Sequence, residues 1–202
     1  MADRPIIFSG PMVRALLDGR KTQTRRVLRE DERPRYAVGD RLWVKEEWSG
    51  HYHFRDTPPA KRVSFMTPDG PILREDIWYW ADGRPATGDY ERPRPPLFMP
   101  RWASRITLIV GSVRVERLQD ISEEDAIAEG MTQETADAFM CPEELAVFAS
   151  AHILCPDSMA RIMFETYWDR MHGQGAWARN PLVAAYTFRP VLANIDTPEA
   201  EE

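Results

Sequence analysis

The sequence predicts an α+β fold, in which the strands of a barrel or twisted sheet are interrupted by short helices. Three observations predict it. Apolar and polar residues alternate with the two-residue period of a strand at 42–45, 104–117 and 182–188. Helical spacing bounded by capping residues marks 11–18, 122–130 and 158–171. Between the first and second groups of strands lies a stretch, 49–100, so rich in Pro, Gly, Arg and Asp that it reads as a long insertion.

The first helix, 11–18, has Pro11 at a first-turn position, Met12, Ala15 and Leu16 on adjacent turns, and Gly19 as a left-handed stop. A basic run, GRKTQTRR, begins where it ends. The turn at 38–40 then leads into RLWVKEEW, where Leu42 and Val44 alternate with Trp43 and Lys45. Within the insertion, WYW at 78–80 is the one strongly apolar island, there is room for a small hairpin, and RPRPPLFMP favours extended polyproline geometry. Strand periodicity returns at 104–110 and 112–117, with Gly111 expected as a bend or bulge between two strands. In DISEEDAIAEGM, Ser122 caps a helix, Asp125 follows three residues on, Ile121 and Ala126 can staple its start, and Gly130 ends it. Helices are also expected around 143–151, and over 158–171 with an apolar stripe of Met159, Ile162, Met163 and Tyr167. A last strand covers 182–188, and residues 193–202 read as a disordered acidic tail.

A chain of 202 residues can bury one substantial core, so a single domain over 1–192 is the expectation. No stretch approaches the roughly 18 apolar residues of a membrane helix, and the start MADRPIIFSG has too short an apolar run for a signal sequence. A cytoplasmic protein with no membrane association is expected. Cys141 and Cys155 lack the spacing of a zinc knuckle or disulfide framework and read as buried thiols. The net charge of −6 argues against a protein that coats nucleic acid by positive potential alone. The distribution is more informative: residues 14–35 carry eight cations and four acids, net +4, whereas 116–144 carry ten acids and one cation, net −9. A local basic site on an acidic body suits a small polar or anionic ligand.

GRKTQTRR places a lysine and two hydroxyls beside a helix end, the groups needed to hold or attack a polar acyl or phosphate group. Lys21 becomes a base only if burial or neighbouring cations such as Arg20, Arg25 and Arg26 lower its pKa. On composition alone the run is a solvated basic strand, and on an ideal strand Lys21 and Thr24 point to opposite faces, so a shared pocket needs a bend between them. Glu129 lies in the last turn of the capped helix, where the dipole disfavours a carboxylate and demands a cation, for which Lys21 is a candidate. By helix position alone it would be a surface glutamate.

GRKTQT after a short helix, VGDRLWV as the next strand, the strand pair before DISEEDAIAEGM, and a terminal YTFRPV strand together resemble an activating signal cointegrator homology (ASCH) domain. The resemblance covers both ends and the middle of the chain and is closest to the long form encoded by phages and prophages. It implies a PUA-like mixed β-barrel with flanking helices, a fold associated with RNA and modified-nucleoside recognition. Some compact bacterial members are amidohydrolases that deacetylate N4-acetylcytidine, using a lysine as proton acceptor, a threonine as nucleophile and a glutamate as proton donor. The matching positions here are Lys21, Thr24 and Glu129. The chain departs from those enzymes by insertions at about 49–100 and 132–157, so fold and site transfer better than substrate does.

The resulting expectation is a nucleoside- or nucleic-acid-binding protein, with amide hydrolysis of an N4-acylated cytidine as its enzymatic form. The alternative is a non-catalytic module that binds RNA or modified bases. The partner is a nucleoside or single-stranded nucleic acid, RNA ahead of DNA, and no cofactor is implied. Arg20, Thr22, Arg25, Arg26 and Arg101 are the ligand-holding candidates. Of seven tryptophans, Trp43, Trp48 and Trp102 stand nearest the motif segments, and Trp102 is the candidate pocket wall. His51 and His53 form an HxH pair without a third ligand at recognisable spacing, so no metal is expected. A nuclease has only the basic cluster in its favour, because no metal-binding carboxylate set is visible.

Overall fold

The computed structural model describes residues 1–141 and 159–197. The helix expected around 143–151, Cys155, and the last residues of the acidic tail lie outside the described residues. The described elements run β1 (Asp3–Ile7), α1 (Gly10–Leu17), β2 (Gln23–Val27), β3 (Arg41–Lys45), β4 (Trp48–Gly50), β5 (Phe65–Thr67), β6 (Gly70–Ile72), β7 (Ile77–Tyr79), β8 (Thr107–Arg117), α2 (Glu123–Ala128), α3 (Gln133–Phe139), α4 (Met159–His172) and β9 (Leu182–Val191).

Strands and helices do combine as α+β. Five strands form a mixed sheet of order β1-β3-β8-β9-β2, with β1 parallel to β3 and β2 antiparallel to β9. β1 and β2 are the two ends of this order, so the sheet is open where a closed barrel was expected. Closure would need those two strands to pair with each other, and the remaining strands go instead into two separate ribbons, β4-β7 and β5-β6. β1 itself escapes sequence patterning because it is short and holds Pro5, a residue that an edge strand tolerates. The expected break at Gly111 is absent: β8 is one continuous strand of 11 residues. A glycine fits there without being required, since an added Cβ would meet only the Thr187 carbonyl at an ordinary 3.7 Å.

Two compact units divide the chain, neither of them contiguous in sequence. The first comprises Met1, Ala15–Asp40 and Ile109–Pro190. Its buried residues include Val183, Ala184, Ala185, Tyr186 and Phe188 of β9, with Leu118, Ile121, Ala126 and the inner face of α4. That face is Ala160, Met163, Phe164 and Trp168, rotated from the expected stripe: Ile162 and Tyr167 are only partly buried. Ser122 caps α2 by accepting from the Asp125 amide at 3.1 Å. The next residue, Glu123, accepts from the amides of Ala160 and Arg161 at 2.6 and 3.0 Å and so satisfies the first turn of α4. Two helices are thereby fixed to each other through adjacent residues.

The second unit comprises Ala2–Arg14, Arg41–Leu108 and Val191–Glu202. Leu42 and Val44 are buried on alternate positions of β3, as its pattern predicts. The proline-rich stretch is organised around one guanidinium. Arg62 is 2% exposed, donates to Glu91 at 2.6 Å and to the carbonyls of Phe54 and Thr57, and lies over the rings of Trp48 and Phe54. Gly50 leaves room for it: a Cβ there would sit 1.8 Å from the Arg62 Nη1, so the guanidinium would have to shift. The expected small hairpin is β5-β6. Of the segment read as an acidic tail, residues 193–197 are described, and Ile195 is 2% exposed. No helix among the described residues is long and apolar enough to cross a membrane.

Ser122→Ala removes the side-chain acceptor at the start of α2. A loss of about 1 kcal/mol is expected in urea unfolding. An unchanged midpoint would mean that the cap carries no stability.

Candidate functional site

The site lies within the first unit, where the chain between α1 and β2 is clamped by its own backbone. Gly19, at φ 70°, ends α1 as expected. Lys21 then donates its amide to the Ala15 carbonyl at 2.9 Å, and Thr22 donates to the carbonyl of Ala128, in the last turn of α2, at 2.8 Å. The Thr22 carbonyl in turn accepts from the Phe188 amide of β9 at 2.8 Å. Main-chain bonds to three elements therefore set where the Lys21 side chain starts.

From there Lys21 reaches the end of α2. Its Nζ donates to the Glu129 carbonyl at 2.7 Å and to the Glu129 Oε2 at 2.8 Å. Lys21 is 1% exposed and Glu129 4%. Glu129 is the C-cap residue of α2, so one ammonium answers both the unsatisfied carbonyl of a helix end and a carboxylate that the dipole disfavours. Gly130 makes this approach geometrically available. Its φ is 89°, and a Cβ would lie 3.1 Å from the Ala15 Cβ and 3.3 Å from the Lys21 Cβ. Burial pushes the Lys21 pKa down; Glu129 opposes that shift, and the nearby Arg26 and Arg25 add to it.

Arg25 is the second charge in this interior, with no side-chain exposure. It donates to Glu116 and Asp125 at 2.7 Å each, to Glu129 at 3.3 Å, and to the Gln23 side-chain Oε1 at 2.5 Å. Its Nε is buried without a partner, and the guanidinium lies 5.9 Å from the Phe164 ring centre. Gln23 donates to the other Asp125 oxygen at 2.9 Å, and Arg114 donates to Asp125 at 2.5 Å. Three cations, Lys21, Arg25 and Arg114, thus stand against three carboxylates, Glu116, Asp125 and Glu129. Burial raises the Asp125 pKa, but the hydrogen bonds from Gln23, Arg25 and Arg114 lower it more, leaving it below the usual aspartate range.

The run GRKTQTRR is therefore largely interior: Lys21, Gln23, Thr24 and Arg25 are all buried, which excludes a solvated strand. Lys21 and Thr22 precede the regular part of β2, so strand alternation begins only at Gln23. Within β2, Thr24 falls on the pleat face opposite Gln23 and Arg25, and its hydroxyl makes none of the hydrogen bonds around Glu129. Arg20 is held by Asp18 at 2.6 Å and by the Thr132 hydroxyl at 3.0 Å. Arg26 is half-buried beside His172 and Arg179. Arg101 and Trp102 belong to the second unit. There Arg101 bridges Asp3 and Asp196, and Trp102 meets Trp48 edge-on at 6.3 Å with Arg74 over its face. His51 and His53 approach each other, Nδ1 to Nδ1, at 3.0 Å. Among the described residues no group of three or more His, Cys, Asp or Glu is placed to hold a metal ion.

Gln23, Glu116, Asp125 and Arg114 were not singled out as members of the cluster by sequence. One signal was available: Lys21, Gln23 and Arg25 recur at a spacing of two, and all three side chains reach α2 or its C-cap.

Two outcomes follow from this arrangement. Lys21→Met and Glu129→Leu each strand a buried charge and are expected to cost about 3–5 kcal/mol in denaturant titration, whereas the double variant recovers a large part of that loss. For Asp125 the folded pKa is below the unfolded one, so its stabilisation is complete above the unfolded value and disappears as pH falls through the folded value. Asp125→Asn should therefore lower stability at neutral pH and flatten the acid limb of the stability profile below about pH 4. An unaltered acid limb would contradict the assignment.

No family model and no curated protein matches the chain. Among solved structures it is similar to the crystal structure of an ASCH domain from Lactobacillus crispatus, with a TM-score of 0.39 and 13% identity over 94% of this chain and 79% of that one.

Proposed function

We propose that the first unit binds a nucleoside, free or within single-stranded nucleic acid and RNA ahead of DNA, and that Lys21 and Glu129 act there as a proton-transfer pair on an N4-acylated cytidine. The observation that carries this reading is the contact between them: an ammonium and a carboxylate 108 positions apart in sequence, 2.8 Å apart in space, and both nearly sealed from water. Burying such charges costs several kcal/mol per ion, and an apolar pair would fill the same volume without that cost. A buried pair with a depressed lysine pKa is the expected signature of a group kept for proton chemistry.

Amide hydrolysis needs a neutral base and a protonated acid together. Lys21 and Glu129 supply both by one event: shifting a single proton along their hydrogen bond turns ammonium and carboxylate into amine and carboxylic acid, and the burial that depresses the Lys21 pKa eases release of that proton. In the proposed sequence the Lys21 amine takes the hydroxyl proton of Thr24, and the Thr24 oxygen bonds to the acyl carbon. Glu129 protonates the departing exocyclic N4 of cytidine as the acyl C–N bond breaks. Water then cleaves the acyl ester and releases the acid. Thr24 must swing off its β2 face to take part, and the irregular chain at Lys21 and Thr22 is where such a bend would occur. Arg25 is committed to carboxylates and acts as a positioning residue for Glu129. Ligand contacts fall to Arg20, Thr22 and Arg26.

The protein is expected to release cytidine and acetate from N4-acetylcytidine. Glu129→Gln keeps the volume of the side chain and should lower kcat about 100-fold or more, and Thr24→Val should do the same, with folding checked by circular dichroism. Absence of turnover with both the nucleoside and acetylated RNA contradicts the hydrolase reading. Salt-dependent binding of single-stranded RNA without product, weakened by Arg20→Ala and Arg26→Ala, would then identify a non-catalytic binding module.

A further inference from the structure

A recess of about 350 Å³ opens elsewhere in the first unit, bordered by β2, the end of α4 and the loop that leads to β9. Its walls include Arg26, Val27, Trp168, His172 and Arg179. Arg25 also borders it, but the Arg25 guanidinium is taken up by carboxylates.

The loop holds Arg179 in place through its own backbone. Asp169 of α4 accepts from the Gly175 amide at 3.0 Å with one oxygen and from the Trp177 amide at 2.6 Å with the other. The Arg179 amide then donates to the Gly175 carbonyl at 3.3 Å, and the Asn180 amide donates to the Trp177 carbonyl at 3.0 Å. Asp169 is the acid whose pKa registers the Arg179 charge, and both its oxygens are engaged by those amides. Opposite this loop, Arg26 is set by β2, in register with Ala184 of β9. Two guanidiniums border one recess, and the imidazole between them registers both: burial first, then Arg26 and Arg179, hold His172 below its ordinary pKa.

An aromatic surface completes the recess. Trp168 and His172, one helical turn apart on α4, lie in contact with ring centres 4.2 Å apart and planes tilted by 34°. Trp168 is buried beneath, and His172 is exposed above it. The carbonyl end of α4 attracts cations by itself, but that does not call for an aromatic-floored recess between them.

We infer that this recess takes the phosphoryl group of a nucleotide, with Arg26 and Arg179 on its oxygens and the His172 ring, backed by Trp168, as a stacking face for the base. Paired guanidiniums suit a tetrahedral anion because each offers two parallel donors. A flat imidazole offers a base a surface without sequence preference. The recess includes neither Lys21 nor Glu129, shares only Arg26 with the ligand contacts proposed above, and stands whether or not those residues hydrolyse anything.

Calorimetric titration with cytidine 5′-monophosphate, cytidine and inorganic phosphate tests the inference on the full chain. The monophosphate should bind about tenfold or more tighter than cytidine, and Arg179→Ala should remove about tenfold of that affinity while leaving cytidine binding unchanged. Arg179 is exposed, so its replacement should leave Tm unaltered. Equal affinities for the monophosphate and cytidine would overturn the inference. So would a monophosphate Kd indifferent to Arg179→Ala, whatever Arg26→Ala does. Glu129→Gln should bind the monophosphate as the parent does; loss of binding in that folded variant would move the phosphate to the Lys21 site and equally refute the recess. A 5′-phosphorylated and a 5′-hydroxyl oligocytidylate then separate the sources: preference for the former identifies a terminal phosphate, and equal tight binding identifies the backbone.

Discussion

A guanidinium with no exposed surface can persist in a protein only where carboxylates reach it, and Arg25 sets that condition for the first unit. Glu116 at the end of β8, Asp125 in α2 and Glu129 at its C-cap all turn toward it. Those three acids exceed what one cation balances, and Lys21 and Arg114 make up the difference. The cluster is neutral in total and low in water, so each member depends on the others. Removing one of the sealed members, Lys21, Arg25 or Glu129, leaves a buried charge unpaired, whereas Arg114 at the edge is half exposed.

Much of the local fold can be understood from that requirement. α2 must stop at Glu129, and Gly130 stops it at a positive φ where an added Cβ would also crowd Ala15 and Lys21. The chain at Lys21 and Thr22 must stay irregular long enough to dock on α2 before β2 begins at Gln23, and its amides do so through Ala15 and Ala128. Glu123, at the other end of α2, fixes the start of α4. A six-residue helix with little intrinsic stability is held at both ends by charge. The same helix carries the carboxylate that gives the site its chemistry.

Local signals were legible in the sequence. Ser122 as a cap, Gly19 and Gly130 as stops, and the alternation at Leu42 and Val44 each rest on a few neighbouring residues and were found where expected. By helix position alone Glu129 reads as a surface glutamate, with Lys21 as a candidate partner, and its carboxylate is in fact buried against Lys21. What could not be read depended on partners far away in the chain. Nothing near Arg25 shows that its counter-charges are Glu116 and Asp125, roughly a hundred positions on. Gly111 looked like a break because glycine usually is one, yet the ladder passes through it. Whether the sheet closes depends on its two end strands, and β1, the one containing Pro5, carries too weak a pattern to be found. Arg101 shows a further gap: its partners, Asp3 and Asp196, come from opposite ends of the chain.

Heteronuclear NMR titration of Lys21, observed at its side-chain carbon next to Nζ, tests the buried proton pair most directly. A midpoint below the ordinary lysine value of about 10.4, shifting when Glu129 is replaced by Gln, is the result that a sealed ammonium-carboxylate contact predicts. A midpoint at the free-lysine value, insensitive to that replacement, would show that Lys21 is solvated and that the interior pair does not exist.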